Sequence, residues 1–115
     1  MIDYHKTLKD TLLTILPTHY EMILKSKLAT PCLSYMELNN SIEEDGDSIG
    51  YSRIKYQIKV WANNIEIIQE YAPKVDKAMR ALGFKRVASA ELYDNNSAMI
   101  QKVLTYEALA LEEFD

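Results

Sequence analysis

The residues of this 115-residue chain best suited to nucleophilic chemistry are its single cysteine, Cys32, and its two histidines, His5 and His19. A thiol beside an imidazole base can act as a nucleophile, and such pairs assemble in space, so their separation along the chain does not exclude them. Cys32, however, follows Pro31 in the apolar segment PCLSYMEL, where a cysteine usually serves as a small buried hydrophobe. We therefore expect a buried, unreactive thiol, and we expect no catalytic residues.

Metal ligation is the second chemistry to consider. Neither histidine has another ligand at a metal-binding spacing. The acidic run EEDGD invites a calcium interpretation, but a calcium loop needs an oxygen ligand at its first position, glycine at its sixth and glutamate at its twelfth. Counting from Gly46 places Ser41 first and Ser52 twelfth, which does not fit. The sequence thus predicts no metal site and no cofactor.

One strand carries the most informative pattern. The segment SRIKYQIKVWA, residues 52–62, alternates between apolar and polar residues and therefore has two distinct faces. The apolar face comprises Ile54, Tyr56, Ile58 and Val60, and the other comprises Arg53, Lys55, Gln57, Lys59 and Trp61. Aromatic residues and arginine are enriched at interface cores, so this basic, aromatic face is either a solvated sheet face or a contact with a neighbouring subunit. Stacking of nucleic-acid bases on it is less favoured, because acidic residues adjoin it.

An acidic segment precedes this strand. Residues 37–50 contain five carboxylates and no basic residue, and two glycines and two asparagines favour turns. We predict an exposed, mobile loop between two antiparallel strands, whose residues Glu43, Glu44, Asp45 and Asp47 contact a partner. The acidic end of the chain, residues 109–115, is predicted to be frayed.

The remaining segments complete the order of elements. The predicted elements are a helix (3–16, ended by Pro17), strands at 19–25, 32–38 and 52–62, a helix from Asn64 to Gly83 with a kink at Pro73, and strands at 87–93 and 97–109. The order α-β-β-β-α-β-β predicts one α+β domain over residues 1–115. It has two layers, with two helices on one face of a mainly antiparallel sheet of four to five strands.

Composition narrows the classes of function. A formal charge of −4 gives no electrostatic reason for tight binding to nucleic acid. No apolar run is long enough to span a membrane, and the charged segment MIDYHKTLKD does not resemble a signal peptide, so we expect no membrane partner. One cysteine, which cannot form an internal disulfide, is consistent with a reducing cytosol.

The order of local motifs resembles a known family. A helix is followed by the proline-initiated strand TPCLSYMEL, a turn-rich acidic loop, a strand ending in KVWA, a helix closing with ALGF, a short strand ending in LYDNN and a last strand ending in LTYEA. From about residue 5 to residue 108, this arrangement resembles the tail-completion, or tail-terminator, proteins of long-tailed bacteriophages and prophages. Pro73, inside the long helix, departs from the family's pattern.

The resemblance implies a structural virion protein that is not an enzyme. Such a subunit is made in the bacterial host cytoplasm and forms a ring, usually a hexamer, in the neck of the virion. The ring terminates the tail tube, and its partners are other copies of the chain, the major tail tube protein and the head–tail connector protein. DNA passes through without specific binding. The alternatives are another neck component, such as a head-completion or adaptor protein, and a ligand-binding or regulatory α+β module unrelated to phages.

Overall fold

The computed structural model describes residues 2–21, 30–44, 49–95 and 98–113. Its elements are α1 (His5–Leu13), β1 (Thr18–Tyr20), β2 (Cys32–Glu44), β3 (Ile49–Ala62), α2 (Ile65–Ala81), β4 (Lys85–Asp94) and β5 (Met99–Glu113). The five strands form one sheet in the order β1-β2-β3-β5-β4, which is antiparallel except for the parallel pair β1–β2. The predicted α+β class and the predicted order of elements are both confirmed.

The core lies on the face of the sheet that carries the helices. Ile54, Tyr56, Ile58 and Val60 of β3 are fully buried there, as the alternation predicts. Antiparallel register places Tyr106 opposite Tyr56, so the neighbouring strand β5 contributes to the same layer. The helices supply the other half of this core, with Leu8 and Leu12 from α1 and Ile68, Val75 and Met79 from α2.

Local residues account for the start of α1 and for both ends of α2. The Asp3 carboxylate accepts a hydrogen bond from the backbone N–H of His5 at 2.9 Å, and α1 stops at Leu13, three residues short of the predicted end. The Asn64 side chain caps α2 by accepting from the N–H of Ile67 at 3.0 Å. Gly83 follows α2 with φ +92°, a conformation that favours glycine. Neither helix among the described residues is long and apolar enough to cross a membrane.

The predicted acidic loop over residues 37–50 is largely wrong. β2 continues to Glu44 and β3 begins at Ile49, with residues 39–44 paired to residues 50–55 after a register shift near Leu38. Residues 45–48 lie outside the described residues. The predicted frayed end at 109–115 is also wrong as far as residue 113, because residues 109–113 of β5 pair with residues 49–53 of β3. Pairing on both sides of β3 overrides the weak strand propensity of the acidic residues.

The predicted strand over residues 19–25 is found in part, since β1 comprises Thr18–Tyr20. Residues 22–29 lie outside the described residues. β4 starts two residues before its predicted start, and β5 starts two residues after the predicted start and runs four residues further.

Two buried tyrosines, which face each other across β3 and β5, differ in their hydrogen bonding. The Tyr106 hydroxyl donates to Oδ1 of Asp76 at 3.0 Å, and Asp76 also pairs with Arg80 and Arg86. The Tyr56 hydroxyl, in contrast, has no hydrogen-bond partner among the described residues. Burial is the main cause that raises the pKa of both hydroxyls. Both side chains are therefore neutral, but only Tyr106 gains a hydrogen bond in the folded state.

This difference predicts different outcomes for one substitution. Tyr106→Phe should lower the free energy of unfolding by about 1–3 kcal/mol, because the partly buried carboxylate of Asp76 loses a donor. Tyr56→Phe removes a buried hydroxyl without a partner, so it should change that free energy by less than about 1 kcal/mol or raise it. Urea denaturation of both variants measures the two values, and equal losses would contradict this assignment.

Candidate functional site

The basic face of β3 is the surface that the sequence singles out. Since both helices pack on the opposite face of the sheet, the side chains of Arg53, Lys55, Lys59 and Trp61 lie on the face that carries no helix. The alternation that predicted this division is confirmed. These four residues share one face of one strand. Trp61 and Lys59, however, are mostly buried within the chain.

Carboxylates neutralise much of the positive charge on this face. Nη1 of Arg53 lies 2.5 Å from Oε1 of Glu107, which belongs to β5. Lys59 pairs with Glu21 just after β1, and the Lys59 ammonium lies 5.6 Å from the centre of the Trp61 ring. Lys59 and Glu21 are both mostly buried. The face is therefore a set of local ion pairs rather than a continuous cationic patch.

Trp61 is not accessible on this face, which the sequence predicted to be either solvated or in contact with a neighbouring subunit. Its side chain is only 8% exposed, and the indole Nε1–H donates to Oγ of Ser34 at 2.9 Å. Ser34 and Cys32, on the neighbouring strand β2, are themselves fully buried. Alternation gives the face of a side chain but does not tell whether other residues cover that face. Trp61 thus belongs to the packed interior of the single chain.

Cys32 is buried, as predicted, and burial raises the pKa of its thiol to about 11. Among the described residues, no hydrogen bond joins Cys32 to His19, which is exposed on β1. His5 lies elsewhere, with Nε2 3.4 Å from Oε2 of Glu37 and its ring beside Tyr20. The nucleophile–base pair considered from sequence is thus not present in the described part of the chain, where no cluster of metal-binding side chains is found either.

Of the four acidic residues expected to contact a partner, the structure describes two, Glu43 and Glu44. Glu43 and Glu44 are strand residues, opposite Tyr51 and Gly50. Asp45 and Asp47 lie outside the described residues. We define the distal arm as residues 41–44, 49–53 and 109–113, the end of the sheet where β2, β3 and β5 run side by side.

The distal arm projects beyond the helical layer. β5 is roughly 50 Å long at 3.4 Å per residue, whereas α2 is about 25 Å long at 1.5 Å per residue. α1 packs against β1, and Asp76 of α2 bonds to Tyr106 at the midpoint of β5, so the helices cover the sheet from the β1 side to about its middle. The chain is accordingly elongated, at 51 × 25 × 23 Å. Three large apolar side chains of the arm are about half exposed: Ile42, Tyr51 and Leu109.

A groove between α2 and the strands β4 and β5 is a feature that the sequence analysis missed. We call it the α2–β4 groove, and its volume is about 520 Å³. Its apolar lining residues are Ala72 and Pro73, which are accessible, and Ile68 and Leu104, which are almost fully buried. The charged residues that line it are Asp76, Lys77, Arg80, Arg86, Glu91 and Lys102. The i,i+4 spacing of Asp76 and Arg80 was visible in the sequence, but the pairing that brings β4 beside α2 was not.

No family model matches the chain, and no curated protein matches it significantly. The resemblance to tail-terminator proteins therefore stays a prediction from the order of motifs.

The burial of Trp61 leads to a stability prediction. Trp61→Ala should lower the free energy of unfolding by about 3–5 kcal/mol, because it leaves a cavity and removes the hydrogen bond to Ser34. Tyr51→Ala is a matched control on the same face, where the ring is 47% exposed, and should cost less than about 1 kcal/mol. Thermal and urea unfolding measure both, and a Trp61→Ala variant as stable as the control would refute the burial.

The raised pKa of Cys32 leads to a prediction about pH. Between the ordinary thiol pKa of 9.0 and about 11, the native state keeps a proton that the unfolded state has lost. The contribution of the thiol to stability is therefore complete below pH 9.0 and declines as pH rises toward 11. Wild type should lose stability relative to Cys32→Ala over this range, by up to about 1.4 kcal/mol per pH unit.

Urea unfolding of wild type and Cys32→Ala at several pH values isolates this effect, because the titrating tyrosines are common to both chains. Modification of the native thiol at neutral pH should be slow and should become fast in denaturant. A constant stability difference across the pH range, together with rapid native modification, would show an accessible thiol.

Proposed function

We propose that this chain is a structural subunit of a long-tailed bacteriophage or prophage, one that assembles into a ring at the head-proximal end of the tail tube. In this role the ring stops tube growth and joins the tail to the head connector. The resemblance in the order of motifs first suggests the role. The structural observation that supports this role most strongly is the distal arm, a three-stranded extension of the sheet with exposed apolar residues at its surface.

Exposed apolar surface at the end of a projecting arm supports a role in assembly. Tyr51 and Leu109 are 47% and 60% exposed, and register places both on the face opposite the helices. Large exposed apolar residues that lie together on a soluble protein mark sites of interaction with other proteins. An arm that extends from a packed body can reach a neighbouring subunit without distorting the core.

The charge balance suits passage of DNA without retention. Seventeen acidic residues against thirteen basic residues give each subunit a formal charge of −4. A ring of such subunits repels the phosphate backbone and offers few clustered cations for counterion release. The ion pairs of Arg53 and Lys59 with carboxylates further reduce the free positive charge of the β3 face.

Tube capping provides the direct test. The gene neighbourhood of this chain is searched for a tail tube protein, which is polymerised alone and with the purified chain, and the tubes are imaged by electron microscopy. We expect shorter, more uniform tubes with a ring at one end only, and no retention of the chain on duplex DNA at low salt. Tubes of unchanged length without a terminal ring would overturn the proposal, and so would the lack of any tail tube gene nearby.

A further inference from the structure

The distal arm and the α2–β4 groove have opposite charge. The arm contains Glu43, Glu44, Glu112 and Glu113, against one basic residue, Arg53. The strand register gathers these glutamates at one end of the sheet, since Glu44 is opposite Gly50 and Gly50 is opposite Glu112. Around the groove, cations outnumber carboxylates by four to two among the described lining residues. This basic groove occurs in a chain whose net charge is negative.

The two surfaces also match in their apolar content. The accessible apolar lining of the groove is Ala72 and Pro73, and Tyr93, which is 62% exposed, lies on the same face of β4 as Glu91. The arm presents Tyr51 and Leu109, both about half exposed. Apolar contact surrounded by complementary charge is the usual composition of a specific protein interface.

The groove is open because β4 is the edge strand. The sheet order places β4 beside β5 only, and nine of its ten residues are exposed.

The cations of the groove are partly neutralised within the chain. Asp76 neutralises part of the charge of Arg80 and Arg86. Lys77, on the exposed side of α2, forms no ion pair with another described residue. Lys102 is likewise paired with Glu91. Lys77, together with the part of the Arg80 and Arg86 charge that the single Asp76 carboxylate leaves over, is therefore available to an acidic segment.

The arm cannot reach the groove of its own chain. Both surfaces are built on β5, where Leu104 lines the groove and Leu111 lies in the arm. Seven residues of extended strand separate them by roughly 24 Å. Because β5 is paired on one side with β3 along this entire stretch, it cannot fold back on itself. The complementary partner must therefore be another molecule.

We infer that the distal arm of one copy of this chain docks into the α2–β4 groove of the next copy. This inference rests on the self-association in the proposed function and assigns its contact surfaces. Two different surfaces of the same chain meet, so the contact is head-to-tail, and repetition of such a contact closes a ring or extends a filament. Charge complementarity orients the arm, and the apolar residues exclude water from the centre of the contact.

Two charge-reversed variants test this contact. The groove variant carries Lys77→Glu and Arg80→Glu, and the arm variant carries Glu43→Lys and Glu44→Lys. The matched controls change net charge by the same amounts at exposed helix positions outside both surfaces: Lys9→Glu with Lys74→Glu, and Glu66→Lys with Glu70→Lys. Sedimentation velocity over a concentration series at low salt measures the association of each protein.

We expect wild type and both controls to associate, and added salt to weaken that association because surface charges are screened. Each reversed variant alone should associate about tenfold more weakly or worse. An equimolar mixture of the two reversed variants should recover association, because each arm can then meet a groove of opposite charge. The intact arm of the groove variant meets the intact groove of the arm variant, and the reversed, basic arm meets the reversed, acidic groove. Recovered association in the mixture also shows that both variants are folded.

Three results would overturn the inference: a wild-type chain that stays monomeric throughout, reversed variants that associate as wild type does, or a mixture that stays monomeric. If the groove instead binds a small anion or a different protein, the reversed variants should associate as wild type does. The tube-capping assay separates this failure from failure of the proposed function. Reversed variants that still cap tubes would leave the ring proposal standing with a different subunit contact.

Discussion

The rest of the structure depends on the pairing of β3 with a strand on each side. β2 and β5 both run antiparallel to β3 over nearly its full length, and this register fixes which side chains share each face. A slip of one residue would exchange the apolar set around Ile58 with the charged set around Lys59. Core, ion pairs and distal arm all follow from this one register. The buried row from Ile54 to Val60 disfavours such a slip, because it would expose that row to water.

The sequence was sufficient to predict the order of elements because each element has a strong local signal. Alternation in β3, the Asn64 cap and Gly83 after α2 are all properties of adjacent residues. The ends of β2 and β5 lacked such a signal. Glu43 and Leu109 lie in segments that are acidic or close to the end of the chain, and they become strand residues only because β3 supplies partners from distant positions. Pairing between segments far apart in sequence is invisible to local propensity.

The candidate site was predictable to a smaller extent for the same reason. The division of β3 into two faces was correct, but the partners on each face come from elsewhere: Ser34 for Trp61, Glu21 for Lys59 and Glu107 for Arg53. Residues that appear free in sequence are thus already bonded within the chain. The α2–β4 groove could not be predicted at all, since it exists only because β4 extends past the cover of α2 at the edge of the sheet.

The uninterrupted ladder between β3 and β5 has a mechanical consequence. Its hydrogen bonds lie across the strands, and residues 49–62 are joined to residues 100–113 without a register shift. A force that pulls β3 and β5 apart along their length loads all these bonds together, as shear, so that they must break at once. A force across the edge of the sheet would instead peel β4 away one pair at a time. The molecule is therefore stiff along its 51 Å axis and compliant at its β4 edge.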